Sequence, residues 1–283
     1  FQRVGDLIWA AADARGRGFL IGATSGRSSL PGEGLQHCDG QSQVFALSNP
    51  ALKAYDPTYA YEVAVIVREG IRRMYVERQD IFYYITVMNE KYLMPPMPEG
   101  VEEGILKGMY RLEGNEEQSE RVHLLGSGAI LNEALKAREI LEDEYDVSAD
   151  VWSVTGYKQL YDNAKRCERY RILNPGEKPD PCYIRECFTE TGDVFVAATD
   201  YLRALPLSVA KWFPGDFTAL GTDGFGRSDN RSAMRSFFEV DYRYITLTVL
   251  SRLAEKGEIE VETVKQALKD LDINPEKPNP GRW

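Results

Sequence analysis

GFLIGAT, residues 18–24, decides the fold class: it is a short apolar run that ends in small residues, and a long loop follows it. Such a run predicts a buried strand. IFYYITVM, residues 81–88, is rich in β-branched and aromatic residues and predicts a second strand. We place a helix start between them at Asp56-Pro57, because Asp caps helices and Pro fits the first turn. The helix has apolar residues at helical spacing, namely Ala60, Ala64, Val67, Ile71 and Met74. Strand, loop, helix and strand in this order are typical of an α/β sheet.

The same alternation restarts after a break that is rich in proline. Pro95, Pro96, Pro98 and Gly100 are followed by the polar run 113–121, so we place a domain boundary between about 95 and 120. Beyond it we predict strands at 122–125, 151–154, 194–198 and 217–220, a tight turn at 126–128, helices along 130–141, from about Asp241 and along 261–271, and an extended tail from Asn274 to Trp283. The sequence therefore predicts two open twisted α/β sheets, in domains of residues 1–105 and 106–283.

Composition excludes several classes of function. The chain has 283 residues, which is enough for two domains, and 43% of them are hydrophobic. Its formal net charge of -10 argues against general nucleic-acid binding, which needs a basic face. The sequence has no apolar run near the roughly 20 residues that span a bilayer. Its first residues lack the pattern of a signal peptide and read as the interior of a domain, so we expect a segment upstream of Phe1.

The cysteines and histidines are too few and too scattered for a disulfide scaffold or a structural zinc site. The chain has four cysteines, with no C-x-x-C pair, and its two histidines are His37 and His123. We expect reduced cysteines and a cytoplasmic protein. We predict no metal site within this sequence.

The loop after the first strand contains the residues best suited to catalysis. GEGLQHCDGQS, residues 32–42, packs a histidine, two carboxylates and amides among three glycines. Histidine exchanges protons near neutral pH, and Glu33, four residues before His37, could orient it or set its charge. General acid–base catalysis is often found in such loops. The alternative is an ordinary hydrogen-bonding histidine in a polar loop.

Several motifs, in one order along the chain, carry a resemblance to a known family. They are Thr24-Ser25-Gly26-Arg27 with the loop 32–42, Tyr55-Asp56-Pro57, Tyr59-Ala60-Tyr61-Glu62, Asn89-Glu90, Leu125-Gly126-Ser127-Gly128, the segment DVWSVT at 150–155, Thr199-Asp200-Tyr201 and LGTDGFGRSD at 220–229. Together they closely resemble the homodimeric, bacterial-type pyruvate dehydrogenases of the transketolase-like superfamily. The resemblance implies the end of a pyrimidine-binding domain up to about residue 100 and a carboxy-terminal domain from about residue 120.

The resemblance also implies roles for loop residues. It places His37 and Glu33 in the active centre, where His37 would donate a proton or a hydrogen bond to the substrate adduct or help acetyl transfer to the lipoyl group. Glu33 would support that site electrostatically. Gln36 and Asp39 are candidate substrate-binding residues, and Asn89 and Glu90 are further candidates. Gln41 stands where many family members have a second histidine, and an amide cannot titrate.

The resemblance implies thiamine diphosphate and Mg²⁺ as cofactors, held by sequence upstream of Phe1. Thr222-Asp223-Gly224 lacks the first glycine of the Gly-Asp-Gly motif that holds the diphosphate through Mg²⁺, and we do not assign it that role. Gly126-Ser127-Gly128 lacks the third glycine of a dinucleotide fingerprint and is read as a turn. We therefore expect this chain to be inactive alone.

The implied function is part of pyruvate dehydrogenase (acetyl-transferring). The enzyme would decarboxylate pyruvate and reductively acetylate the lipoyl domains of dihydrolipoyl acetyltransferase. Its expected partners are the amino-terminal portion of the same enzyme and a second copy in a homodimer, with no nucleic acid and no membrane. Two alternatives stay open: a non-catalytic dimerisation or assembly module of a 2-oxoacid dehydrogenase complex, and the same chemistry on another 2-oxoacid. Two roles are equally favoured for the loop 221–229. It could make a contact near the active-site entrance or with a partner, or its role could be purely structural.

Overall fold

The structure is a computed structural model that describes residues 1–114, 121–177, 180–189 and 192–282. Most of the polar run 113–121 and the last residue of the tail lie outside these ranges. The strands are β1 (Phe19–Ala23), β2 (Leu52–Tyr55), β3 (Phe82–Val87), β4 (Tyr110–Glu113), β5 (Val122–Gly126), β6 (Asp150–Ser153), β7 (Val194–Ala198) and β8 (Asp216–Leu220). The helices are α1 (Gly5–Asp13), α2 (Ser42–Ala46), α3 (Ala60–Ile71), α4 (Glu102–Lys107), α5 (Leu131–Tyr145), α6 (Tyr157–Leu173), α7 (Tyr183–Cys187), α8 (Ala204–Leu207), α9 (Arg231–Phe238), α10 (Tyr242–Glu255) and α11 (Val261–Asp270). Among these helices, none is both long and apolar enough to cross a bilayer.

The described strands form two sheets, which confirms the predicted α/β class. The first sheet has the order β1-β3-β2 and is parallel, with Phe19 opposite Tyr83. The second sheet has the order β4-β6-β5-β7-β8, and its strands are parallel except β4, which runs antiparallel to β6. The sequence pattern located β1, β3 and most strands of the second sheet, but it missed β2 and β4, which are only four residues long. The prediction that β1 is buried was wrong, because β1 is an edge strand and Ile21 is 56% exposed.

Both faces of the second sheet are covered, as expected for a mostly parallel sheet. Alternate residues of β5 point to opposite faces. Val122 and Leu124 join the core beneath α5, α10 and α11, whereas Leu125 joins the core beneath α6 and α7. The first sheet is likewise packed on both faces, with Tyr83 in one cluster and Tyr84 in the other.

Two predictions about local structure were wrong, namely the start of helix α3 and the extended conformation of the tail. Helix α3 begins at Ala60 rather than at Asp56, because the Glu62 carboxylate reaches back to accept a hydrogen bond from the Tyr59 N–H at 2.9 Å and caps the helix there. The tail is not extended throughout. It contains a 3₁₀ turn at Pro280–Arg282, where the Asn279 side chain accepts a hydrogen bond from the Gly281 N–H at 2.8 Å.

The two sheets share packing around the predicted domain boundary. Ile105 of α4 lies in the core of the first sheet. Tyr110 packs in the same cluster, although its strand β4 pairs with β6 of the second sheet. The boundary between residues 105 and 106 stays a prediction.

Asp56, which follows β2, is buried where the two sheets meet. Its N–H donates to the Thr155 carbonyl at 2.7 Å, and its carbonyl accepts from the Gly128 N–H at 3.1 Å. Its carboxylate accepts a hydrogen bond from the Thr86 hydroxyl at 2.6 Å, but Oδ2 has no partner in the described part of the chain. Burial raises the pKa of Asp56 to about 7, although the Thr86 hydrogen bond opposes the shift. The carboxyl group at this joint therefore stays largely protonated below neutral pH.

Asp56→Asn should flatten the pH dependence of stability. A carboxyl group whose folded pKa is raised stabilises the fold most below its unfolded pKa, and that contribution is lost as pH rises through about 7. The difference of about three units between the folded and unfolded pKa of Asp56 corresponds to at most roughly 4 kcal/mol of unfolding free energy. The amide imitates the protonated acid and cannot ionise, so urea unfolding of the variant should lose less free energy between pH 5 and pH 8 than the wild type does. The exposed Asp143→Asn is the control, and wild-type and Asp56→Asn profiles that run parallel would contradict the assignment.

Candidate functional site

The segment between β1 and α2 consists of a buried base, an exposed tip and a largely buried return. Ser25 to Leu30 are buried, residues 32–37 are exposed, and Cys38, Gly40 and Ser42 are buried again. We call residues 25–42 the active loop. Its base and return lie against the domain that carries the second sheet.

The base of the active loop is held by Asp200, which follows strand β7. The buried Asp200 carboxylate accepts hydrogen bonds from the Ser28 N–H at 2.7 Å, the Ser28 hydroxyl at 2.6 Å and the Ser29 N–H at 2.9 Å. Hydrogen bonds to a charged acceptor are stronger than neutral ones. This carboxylate therefore fixes the direction in which the loop leaves β1.

Arg27 makes the reciprocal contact. Its side chain is 1% exposed and donates from one guanidinium nitrogen to the carbonyls of Thr222 and of Gly224, the latter at 2.7 Å. Burial lowers the pKa of Arg27, while the negative charge of Asp200 opposes that shift. The guanidinium nevertheless stays charged, since arginine does not lose its proton in proteins. We call these interactions of Arg27, Ser28 and Ser29 with Asp200, Thr222 and Gly224 the clamp.

The tip and the return of the active loop contact two segments of the second domain, the loop 221–229 and the turn after β7. The Gly32 N–H donates to the Asp229 carbonyl at 3.1 Å, and the Leu202 N–H donates to the Gly40 carbonyl at 3.0 Å. Gly226 lies so close to Cys38 that an added Cβ would come within 2.4 Å of the Cys38 Cβ. Burial raises the pKa of the Cys38 thiol, which argues against a nucleophilic role for it. These contacts indicate that the loop 221–229 forms part of the surface against which the active loop packs.

The tip presents His37 and Glu33 to solvent. Residues Leu35–His37 form a 3₁₀ turn, in which the His37 N–H donates to the Gly34 carbonyl at 2.9 Å. Within the described ranges, neither the His37 imidazole nor the Glu33 carboxylate has a hydrogen-bond partner, so the structure shows no orienting contact between them. The imidazole lies at the surface and not in the core, so a reacting molecule can reach it.

The other candidate residues of the active loop differ in their surroundings. Gln36 is exposed at the tip. The Asp39 carboxylate accepts hydrogen bonds from the N–H groups of Gln41 at 3.0 Å and Ser42 at 2.9 Å, and so organises the start of α2. The Gln41 side chain accepts a hydrogen bond from the Gly40 N–H at 3.2 Å. Asp39 and Gln41 thus shape the loop locally.

Asn89 and Glu90 lie at the end of β3 and contact helix α9. Arg231 donates to the Asn89 side chain at 3.0 Å, and Arg235 donates to the Glu90 carboxylate at 3.1 Å. The same two arginines reach Ser29, since Arg231 donates to its carbonyl at 2.9 Å and Arg235 to its hydroxyl at 3.2 Å. Helix α9 thereby ties the base of the active loop to the end of β3.

Sequence reasoning did not identify Arg27, Asp200 or Arg235 as the residues that hold the loop. The available signal was indirect: Arg27 and Asp200 fall within motifs that carry the family resemblance, and Asp200 follows a strand at the sheet edge where binding sites usually form. In the described part of the chain no group of three or more His, Cys, Asp or Glu side chains is arranged to hold a metal. Asp223, which lies in the segment Thr222-Asp223-Gly224 that we did not assign to Mg²⁺ binding, forms an ion pair with Arg203 at 2.6 Å.

Arg27→Met should loosen the active loop. The substitution removes a buried charge and leaves two buried carbonyls without a donor, so we expect a loss of about 3 kcal/mol of unfolding free energy. The exposed tip should also be cleaved faster in limited proteolysis. Arg203→Met is the matched control, because Arg203 contacts the loop 221–229, as Arg27 does, but through an ion pair with Asp223 at the surface. Equal stability and equal cleavage of the two variants would show that the clamp does not fix the loop.

Comparisons with known proteins agree with this architecture. Residues 1–95 match the family of the pyruvate dehydrogenase E1 component middle domain, and residues 108–241 match the transketolase-like C-terminal domain. Solved transketolases share the fold: the enzyme from Campylobacter jejuni superposes with a TM-score of 0.65 at 14% identity over 88% of this chain and 34% of its own. The enzyme from Leishmania mexicana gives 0.62 at 16% identity over 86% and 31%.

Much closer relatives carry one common name. The chain is 50% identical to the pyruvate dehydrogenase E1 component of Pseudomonas aeruginosa and 49% identical to that of Escherichia coli K12, each over 99% of this chain and 32% of the relative. The E1 component of Mycolicibacterium smegmatis is 41% identical over 97% of this chain and 30% of its own length. The chain thus spans about a third of the curated relatives it matches. With the middle-domain family at residues 1–95 and the C-terminal family at residues 108–241, the chain belongs to the pyruvate dehydrogenase E1 family.

Proposed function

We propose that this chain supplies the middle and carboxy-terminal domains of a pyruvate dehydrogenase (acetyl-transferring). The whole enzyme would decarboxylate pyruvate oxidatively, with thiamine diphosphate and Mg²⁺, and reductively acetylate the lipoyl group of dihydrolipoyl acetyltransferase. The observation that carries the proposal is the identity of about 50% over 99% of the chain to proteins named pyruvate dehydrogenase E1 component.

Within that reaction, His37 transfers or holds a proton. Its imidazole is exposed at the tip of a loop whose base is fixed by buried charge-assisted hydrogen bonds. A general acid or base has to be both accessible and held in position, and this arrangement supports both requirements. Glu33 adds a negative charge to the same exposed tip and would support the site electrostatically.

Gln36 and Asp39 have different parts in the proposal. Gln36 is an exposed amide that can hydrogen-bond to a carboxylate or carbonyl of a substrate. Asp39 shapes the loop through its contacts with Ser42, so its effect on the substrate is indirect.

The cofactor grip is proposed to come from the amino-terminal portion of the same enzyme. The described residues do not fit a site for Mg²⁺ and a diphosphate, because they offer no cluster of three or more acidic, histidine or cysteine ligands. When bound, thiamine diphosphate supplies the stabilisation of a carbanion that decarboxylation requires. Further parts of the proposal are a homodimer, lipoyl domains of the acetyltransferase as the partner, and a cytoplasmic location.

His37→Ala should lower the rate of pyruvate-dependent lipoyl acetylation by about 10²-fold, a common scale for residues that transfer protons. The assay would combine the chain with the amino-terminal portion of the enzyme, thiamine diphosphate, Mg²⁺ and a lipoyl domain. Acetylated lipoyl groups would be counted by mass spectrometry. Leu35→Ala, two positions away at the same exposed tip, is the control: its apolar side chain cannot transfer a proton, so the variant should lose much less activity.

Two results would contradict the proposal. A His37→Ala rate equal to the wild-type rate would remove His37 from the reaction. A faster reaction with 2-oxobutyrate or 2-oxoglutarate than with pyruvate would assign the same chemistry to another 2-oxoacid.

A further inference from the structure

A cavity of about 320 Å³ lies between the edge of the first sheet and helix α6, away from the active loop. Cationic side chains from four elements line it: Lys53 of β2, Arg73 of the π-helical turn after α3, Lys107 of α4 and Arg166 of α6. The side-chain amides of Gln159 and Asn163 also line it. A concentration of positive charge is unexpected on a chain whose net charge is -10.

The carboxylates near the cavity form ion pairs with other lysines. Asp162 is the one carboxylate in the lining, and it pairs with the buried Lys158 at 3.1 Å. Lys107 pairs with Glu103 at 2.9 Å outside the cavity. Among the residues that the structure describes, Lys53, Arg73 and Arg166 therefore lack a carboxylate partner of their own.

Of those three, Lys53 is the most confined. In the part of the chain that the structure describes, neither Lys53 nor Arg166 makes a hydrogen bond or an ion pair within 4 Å, and Arg73 donates to Gln79 at 2.9 Å. Burial lowers the pKa of Lys53; Asp162 opposes the shift, and the positive charge of Arg73 adds to it. An uncompensated, half-buried cation is unfavourable, and a bound anion would remove that cost.

The amide of Gln159 adds uncharged hydrogen-bonding capacity. Its Nε2 and Oε1 are both buried and make no hydrogen bond of ordinary geometry among the described residues, although the side chain interacts with the Tyr55 hydroxyl, which lines the same cavity. A buried amide without an ordinary hydrogen bond is uncommon in native proteins and calls for a ligand or a water. An anionic oxygen in the cavity would accept from Nε2.

We propose that this cavity binds a small phosphorylated metabolite with two or more negative charges. Arginine and lysine together are the side chains that recognise phosphate, and the volume lies at the lower end of the range for small-molecule sites. Because the lining comes from β2 and α4 on one side and α6 on the other, the occupant would link the two sheets.

Inorganic pyrophosphate and adenosine triphosphate are the probes. Isothermal titration calorimetry at low ionic strength should show saturable binding of both, with weaker binding of inorganic phosphate and none of adenosine. Lys53→Met and Arg166→Gln should each weaken pyrophosphate binding by about tenfold, and added salt should weaken it further. Arg169→Gln is the matched control, because Arg169 is exposed on the same helix but does not line the cavity.

Three outcomes would overturn the site. They are the absence of saturable binding up to millimolar pyrophosphate, unchanged binding in both cavity variants, and an equal loss in Arg169→Gln, which would indicate diffuse attraction to surface charge. Arg166 is exposed, so its variant tests the site even if Lys53→Met disturbs folding.

Discussion

The carboxylate of Asp200 and the guanidinium of Arg27 are both buried, and in the described part of the chain they make no direct ion pair with a partner within 4 Å. Each instead makes its hydrogen bonds with the other domain: Asp200 with the Ser28 and Ser29 N–H groups, and Arg27, through one guanidinium nitrogen, with the Thr222 and Gly224 carbonyls. The Arg27 Nε is buried without a partner among the described residues. A buried charge without such contacts would be strongly unfavourable. The two domains must therefore dock for the active loop to adopt its conformation, and the loop must adopt it for the domains to dock.

This reciprocity explains how His37, the exposed residue that we propose as catalytic, can also be held in position. The tip that carries His37 has few contacts of its own, and its position is inherited from the base and return of the loop. Helix α9 adds further support to the base of the loop, through the hydrogen bonds of Arg231 and Arg235 to Ser29. In many enzymes a functional residue lies on an exposed loop that a rigid scaffold positions.

The sequence predicted the α/β class, most strands and the position of the active loop, because apolar periodicity and glycine-rich segments are local signals. The clamp could not be predicted in this way. Ser28 and Asp200 are separated by 172 positions, and Arg27 and Thr222 by 195, so only the folded chain brings them together. The start of α3 was misplaced for a related reason: Asp56 has the features of a cap, but tertiary contacts with Thr155 and Gly128 draw it into the joint. The cavity cations at positions 53, 73 and 166 are equally scattered along the chain.

Amide hydrogen exchange at Ser28 and Ser29, measured by NMR at neutral pH, tests the central claim most directly. If the Asp200 carboxylate holds the base of the active loop, both amides should exchange as slowly as the Val196 amide in the core strand β7, through opening of the whole joint. The amides of Glu33 and Gln36 at the exposed tip should exchange much faster. Exchange of Ser28 and Ser29 at the rate of the tip would show that the clamp does not persist in solution.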